Sequence, residues 1–161
     1  MCKALKFRLP VSGIIQINED IVNKLTTFKQ IESDSTEAGG IILGRKLIGT
    51  NNLIIDEITI PFPDDIRKRY SFKRKQENHQ KVVETRWKES EKTENYLGEW
   101  HTHAEDNPTP SNIDKNDWKR RIMKDNLYLD FLISIIVGRK NIEIWVTDKQ
   151  KNVIKLKKEN V

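Results

Sequence analysis

The sequence is poor in cysteine and contains no long apolar run. Cys2 is the only cysteine among 161 residues, so no disulfide can form within the chain. No segment approaches the roughly 20 apolar residues that span a bilayer. The first residues also lack the apolar region of a secretory signal. We therefore expect a cytoplasmic protein that does not contact a membrane.

Internal repeats, low-complexity segments and glycine-rich phosphate loops are missing as well. Without such a loop at the start of a helix, a nucleotide site of the Rossmann or Walker type is disfavoured. The 29 Lys and Arg residues exceed the 24 Asp and Glu residues and give a formal charge of +5. Because the two signs are interleaved and no nucleic-acid-binding motif accompanies them, we expect a solvated surface and no nucleic-acid partner. Docking to an acidic protein is compatible with this charge.

The composition of 36% hydrophobic and 33% charged residues fits a single domain over residues 1–161. Along this domain, segments with the hydrophobic pattern of a strand are interspersed with segments that have the pattern of a helix. Alternation or short apolar runs predict strands at 5–9, 39–44, 53–60, 96–103, 131–137, 142–146 and 153–156. Helical periodicity predicts helices over 19–31, 74–91 and 111–125, the second being charged, mostly exposed and placed over an edge of the fold. This order predicts an α+β or mixed α/β sandwich around one sheet.

The most informative stretch runs from Gly98 to Asp114 and reads GEWHTHAEDNPTPSNID. His101 and His103 are two residues apart on a predicted strand, so their side chains point to the same face. Asp114 lies one turn into the helix that Ser111 begins. Two imidazoles and one carboxylate are a ligand set suited to catalytic zinc, with a fourth position left for water.

Each half of this stretch also has a simpler interpretation. A His-x-His pair on a strand commonly serves packing or surface chemistry. The Ser-x-x-Asp sequence is a common helix start, in which Ser111 caps the helix and Asp114 stabilises its N-terminus. The two interpretations are compatible, because a capping serine also fixes where the aspartate points.

A metal hydrolase further needs a general base for the metal-bound water, and two glutamates compete for this role. Glu99 shares the strand face of His101 and His103 and lies roughly 6.5 Å along the strand from His101. Glu37 is distant in sequence and immediately precedes the strand that begins at Gly39. The residue pattern leaves both candidates open.

Taken together, these elements resemble the JAMM motif of MPN/Mov34/JAB-type metalloproteases, which is His-x-His, seven residues, Ser-x-x-Asp and an upstream glutamate. The matching segments are His101-Thr102-His103, Ser111-Asn112-Ile113-Asp114 and Glu37-Ala38-Gly39-Gly40-Ile41-Ile42-Leu43-Gly44. The resemblance spans most of the chain. It implies the MPN/JAB-like, cytidine-deaminase-like fold, a mixed β-sheet flanked by helices.

The resemblance also implies a role for each matching polar residue. His101, His103 and Asp114 become the ligands of one Zn²⁺ per chain, Glu37 the general base, and Ser111 the hydrogen-bond donor to the oxyanion. Glu99 then becomes a neighbour that lines the substrate channel. One departure is Ala104, which stands where many members have proline, so the shape of the loop after it is left open.

The segments GEWHTH and DNPTPS are similar to those of the bacterial branch of the JAMM family. More narrowly, they resemble those of the deconjugating proteases of type II CBASS antiphage operons. This implies an isopeptidase that cleaves after the C-terminal tail of a CD-NTase or ubiquitin-like conjugate, made by an E1/E2-like partner. Two alternatives stay open. One is a non-catalytic MPN-type adaptor that docks through helix 74–91; the other is a JAMM peptidase that processes a sulfur carrier or other small substrate, selected by loop 61–72.

Overall fold

The computed structural model describes residues 2–159, in which strands dominate and three helices occur. The strands are β1 (Leu5–Arg8), β2 (Ile14–Ile17), β3 (Gly39–Lys46), β4 (Leu53–Ile58), β5 (Ile66–Lys68), β6 (Ser71–Lys73), β7 (Asn95–Thr102), β8 (Phe131–Val137), β9 (Ile142–Asp148), β10 (Val153–Lys155) and β11 (Lys157–Lys158). The helices are α1 (Glu19–Thr26), α2 (Gln76–Glu89) and α3 (Asn112–Lys124). None of the helices in this part of the chain is both long enough and apolar enough to cross a bilayer.

Nine strands form one mixed sheet in the order β10-β9-β8-β7-β3-β4-β2-β1-β11. The pairs β7–β8 and β2–β4 are parallel and the others antiparallel. Only Leu156 separates β10 from β11, yet these strands lie at opposite ends of the order. The sheet therefore curls until both ends meet the C-terminal segment, where Leu156 N–H donates to the carbonyl of Ile144 at 2.9 Å and Glu159 N–H to that of Lys6 at 2.8 Å.

The core has two parts, one on each face of the curled sheet. The larger part contains α1 and most strands, and the smaller one lies beneath α3, where Trp118 and Ile122 pack on Leu132, Ile136 and Trp145. Strand β8 contributes to both, which is why its sequence is a continuous apolar run rather than an alternating one. The mixed α+β class with one sheet flanked by helices is thereby confirmed.

Helix α1 is shorter than the predicted 19–31 and ends at Thr26. The hydroxyls of Thr26 and Thr27 donate to the carbonyls of Asn23 at 2.9 Å and Lys24 at 2.7 Å. Such side-chain bonds compete with continued helix and favour its end at this point.

Three further differences concern short or charged segments. Strands β2 and β11 were not predicted, because four and two residues carry too little pattern. Residues 66–73 form a separate β5–β6 hairpin whose side chains are largely exposed and charged, so no apolar alternation marks it. Helix α2 is mostly exposed, as predicted, but it contacts β3 and β7 in the middle of the sheet rather than an edge.

Candidate metal centre and active site

The register between β3 and β7 brings the two distant motifs together. Gly39 is paired with His101 in this antiparallel ladder, so the chain two residues before Gly39 lies beside the chain two residues after His101. The pairing continues past the strand, since Thr102 N–H donates to the carbonyl of Ala38 at 3.0 Å and Ala38 N–H to the Thr102 hydroxyl at 3.0 Å. Glu37 and His103 consequently face each other.

The three residues expected to ligate zinc converge on one point. The Nε2 atoms of His101 and His103 are 3.0 Å apart, and Asp114 Oδ2 lies 3.4 Å from the first and 3.1 Å from the second. A tetrahedral zinc with ligands at 2.0–2.1 Å requires ligand atoms about 3.3 Å apart. The two nitrogens and one oxygen therefore fit a zinc ion in type and in spacing.

Asp114 owes its position to the start of α3. Its backbone N–H donates to Ser111 Oγ at 3.0 Å, and its Oδ2 accepts the N–H of Ser111 at 2.9 Å, a reciprocal capping box. Burial alone raises the pKa of the Asp114 carboxyl, but the hydrogen bonds from His101, His103 and the Ser111 N–H outweigh it and hold that pKa well below its usual range. The capping box that begins α3 thus also holds the Asp114 carboxylate beside the two histidines.

Glu37 is buried beside the imidazoles but does not belong to the tightest triangle. Its Oε1 lies 3.7 Å from Nε2 of His103, and its carboxylate offers an oxygen within 4.8 Å of both imidazoles. Burial raises the pKa of Glu37 to about 7, although His101 and His103 oppose the rise. A carboxyl group with this pKa can take and return a proton near neutral pH.

Glu99, the competing glutamate, is engaged elsewhere. Its Oε2 lies 2.9 Å from Nη1 of Arg74 and 3.1 Å from Nε of Arg121, so two guanidinium groups hold it. It still lines the same cleft as the histidines. Of the two candidates, Glu37 is the one that faces His103.

Glu105 is a site residue that the sequence patterns missed. Its Oε1 lies 2.9 Å from Nδ1 of His103, on the side of the ring opposite to the converging Nε2. Histidines that ligate metals commonly donate their second N–H to a carboxylate, which fixes the tautomer and the ring orientation. Burial opposes a charged His103, but Asp114, Glu37 and Glu105 together raise its pKa. The only available signal was an acidic residue two positions after the second histidine, which is weak alone.

The loop that follows Ala104 is fixed to the turn between β8 and β9. Arg139 N–H donates to the carbonyl of Glu105 at 2.7 Å, and Asn141 N–H to that of Asp106 at 3.1 Å. A Cβ on Gly138 would lie 2.8 Å from the carbonyls of Glu105 and Asp106, so only glycine permits this close approach. These contacts define the loop although the proline of many JAMM proteins is absent.

The site opens into a cleft of about 700 Å³ between the β5–β6 hairpin, β7 and the first turns of α3. Tyr70 on the hairpin and Ile113 on α3 both line this cleft, and their exposed fractions are 82% and 81%. Ser111 lies on the same wall and its residue is exposed. An extended chain can therefore reach the convergent imidazoles and carboxylates from solvent.

Comparison with known proteins places the chain in a family. The family described as prokaryotic homologs of the JAB domain matches residues 27–148. A protein from Escherichia coli named CD-NTase/cGAS isopeptidase is 39% identical over 148 residues, covering 91% of this chain and 90% of that protein. Another of the same name, from Vibrio cholerae serotype O1, is 32% identical over 150 residues, covering 93% of this chain and 91% of that protein.

The fold is also similar to a solution structure of a protein from Desulfitobacterium hafniense, with a TM-score of 0.58 at 13% identity. That alignment covers 89% of this chain and 88% of the other, and it concerns the fold alone. The names of the two relatives agree with the narrower resemblance to CD-NTase-associated deconjugating proteases. On the family match and these identities, this chain belongs to the family of prokaryotic JAB-domain homologs.

Proposed function

We propose that this chain is a zinc-dependent isopeptidase of the JAMM type. It hydrolyses the amide bond after the C-terminal tail of a CD-NTase or ubiquitin-like conjugate and so reverses, in the bacterial cytoplasm, a conjugation made by an E1/E2-like partner during antiphage defence. The observation that carries the proposal is the convergence of two imidazole nitrogens and one carboxylate oxygen within 3.0–3.4 Å of one another. The names of the relatives support the choice of substrate.

His101, His103 and Asp114 would hold the zinc, and Glu105 would orient the His103 ring. When bound, zinc supplies a Lewis acid for the scissile carbonyl and lowers the pKa of water. Glu37, whose pKa burial raises to about 7, takes a proton from the attacking water and returns it to the leaving amine.

Ser111 supports the proposed reaction through its hydroxyl hydrogen. Its Oγ already accepts the N–H of Asp114 at 3.0 Å, but a hydroxyl can accept and donate at the same time. The hydrogen is therefore available for the oxyanion that develops on the scissile carbonyl, and such a donor is worth roughly 100-fold to 1000-fold in rate.

The tail of the substrate would enter along the hairpin. Ser71, Phe72 and Lys73 of β6 line the cleft, and within residues 2–159 this strand pairs only with β5. Its second edge presents unpaired backbone groups, to which an extended peptide can add as a further strand. A strand added there would lie in the cleft that His101 and His103 also line.

The test is cleavage of a fusion in which a CD-NTase C-terminal tail is joined by an amide bond to a reporter protein. We expect about one zinc per chain by elemental analysis, cleavage at the end of the tail, loss of cleavage with a chelator and its return with added zinc. Glu37→Gln is expected to keep the zinc and the fold but not the activity. Stable binding of the fusion without cleavage would favour an adaptor, and cleavage by Glu37→Gln at the wild-type rate would show that the assigned base is wrong.

A further inference from the structure

The backbone of Glu37 is held from both sides by the β5–β6 hairpin. Its N–H donates to the carbonyl of Lys68 at 2.7 Å, and its carbonyl accepts from Nε of Arg67 at 2.9 Å. Glu37 itself precedes β3 and belongs to no strand. The two peptide groups that flank its Cα, which together set the direction of the side chain, are thus fixed by one hairpin.

The hairpin in turn has a buried anchor at its base. Asp65 accepts the backbone N–H groups of Phe62 at 2.8 Å and Lys75 at 2.7 Å, and its Oδ2 lies 2.7 Å from Nε2 of His79. The other ring nitrogen of His79 lies 2.6 Å from the hydroxyl of Thr59 at the end of β4. The side chains of His79 and Asp65 are fully buried, so this Asp–His–Thr series is inaccessible to substrate and serves to attach the hairpin.

A second attachment lies directly beside the site. The ring of Phe72 covers β3 at Gly39, where an added Cβ would lie 2.5 Å from its Cδ1. Gln30, fully buried, donates to the carbonyl of Arg69 at 3.0 Å and accepts from the hydroxyl of Thr102 at 2.8 Å. The hairpin is therefore fixed to the strand that carries the histidines as well as to the segment that carries Glu37.

We infer that Arg67 is a positioning residue for the reaction: with the carbonyl of Lys68 it fixes the peptide groups of Glu37 and thereby directs the Glu37 carboxylate toward His103. The inference rests on the function proposed above. Arg67 is not among the residues that line the cleft, whereas Arg69 and Tyr70 of the same hairpin are. A displacement of about 1 Å in a catalytic group can cost about 100-fold in rate, so the contact matters although Arg67 touches no substrate.

The role of Arg67 is tested with the zinc-loaded full chain and the same tail fusion. In Arg67→Ala we expect kcat to fall by about 10-fold or more, with KM and zinc content unchanged. Arg67→Lys keeps a positive donor and should recover most of the lost kcat. Arg45→Ala is the control, because the Nε of Arg45 likewise donates one hydrogen bond, to Asp56 at 3.0 Å, near the end of β3 that is distant from the site.

A double-mutant cycle separates positioning of the base from general support of the fold. If Arg67 acts through Glu37, Arg67→Ala has less than about a twofold effect on the residual rate of Glu37→Gln. An equal loss in both backgrounds, or a wild-type kcat in Arg67→Ala, overturns the inference. If Arg67→Ala is destabilised, Arg67→Met, which keeps the aliphatic stem and removes the Nε donor, replaces it in the cycle under the same criterion. Failure of the proposed function is distinct, because wild type would then not cleave or Glu37→Gln would cleave normally.

Discussion

Oε1 of Glu105 lies 2.9 Å from Nδ1 of His103, on the opposite side of the ring from the nitrogen that faces Asp114. The side chain of Glu105 is 45% accessible to solvent while it makes this contact, whereas that of His103 is 12% accessible. The orientation of His103, a proposed zinc ligand, therefore depends on Glu105, a loop residue that is not part of the JAMM motif.

Removing this contact should weaken zinc binding without removing a ligand. For Glu105→Ala we expect about a 10-fold to 100-fold lower zinc affinity, measured by competition with a chromophoric chelator. Glu105→Gln keeps an acceptor oxygen and should fall between Glu105→Ala and wild type. Glu77→Ala, at an exposed glutamate of α2 paired with Lys81 at 3.4 Å, should leave the affinity unchanged. Equal affinities of Glu105→Ala and wild type would exclude a role for the contact.

The two roles assigned to Ser111 can be separated by two small substitutions. Replacing an N-cap serine by alanine costs about 1 kcal/mol of stability, and replacing it by glycine only a few tenths. Both replacements remove the hydroxyl, so both should lower kcat by about 100-fold. We therefore expect Ser111→Ala and Ser111→Gly to differ in denaturant midpoint but to share one reduced kcat. Activities that follow stability instead would mean that the serine only caps α3.

The buried His79–Asp65 pair should make the fold less stable in acid. Burial lowers the pKa of His79 although the hydrogen bond that its ring donates to Asp65 opposes this shift. Burial works to raise the pKa of Asp65, but hydrogen bonds from Phe62, His79 and Lys75 outweigh it and lower that pKa. Both groups therefore bind protons more readily in the unfolded chain than in the folded one. Their contribution to the free energy of unfolding is lost as pH falls. The part from His79 is lost first, below the ordinary histidine pKa of 6.5, and the part from Asp65 below the ordinary aspartate pKa of 3.8.

The measurement is the free energy of unfolding of wild type and His79→Gln at about pH 7.5 and about pH 5. We expect wild type to lose more stability on acidification than the variant, so the difference between the two proteins shrinks. The contributions of His101 and His103 are common to both and cancel from this difference. A difference that stays constant over this range would show that His79 does not titrate differently on folding.

Much of the candidate site could be predicted because its geometry is local. The two-residue period of a strand places His101 and His103 on one face, and the helix start at Ser111 places Asp114. The position of Glu37 depends on the pairing of β3 with β7, in which Gly39 lies opposite His101, a residue distant from it in the sequence. Periodicity could not provide that pairing, and only the resemblance to the JAMM motif favoured Glu37 over Glu99.

The hairpin and the ring-orienting glutamate were missed for different reasons. The strands β5 and β6 are three residues each, largely exposed, and marked by charge rather than by apolar alternation. Glu105 lies in a loop, where neither the strand period nor the helix period relates one side chain to another. By contrast, the apolar run at 131–137 predicts a strand, and β8 spans these residues with side chains buried on both faces of the sheet.

The closing of the curled sheet by residues 153–158 has a consequence for solubility. One short segment covers the outer edge of β9 with β10 and the outer edge of β1 with β11. Open strand edges are templates for pairing with other chains. Local fraying of this single segment would therefore expose two such templates at once, and the resistance of the domain to aggregation depends on its staying in place.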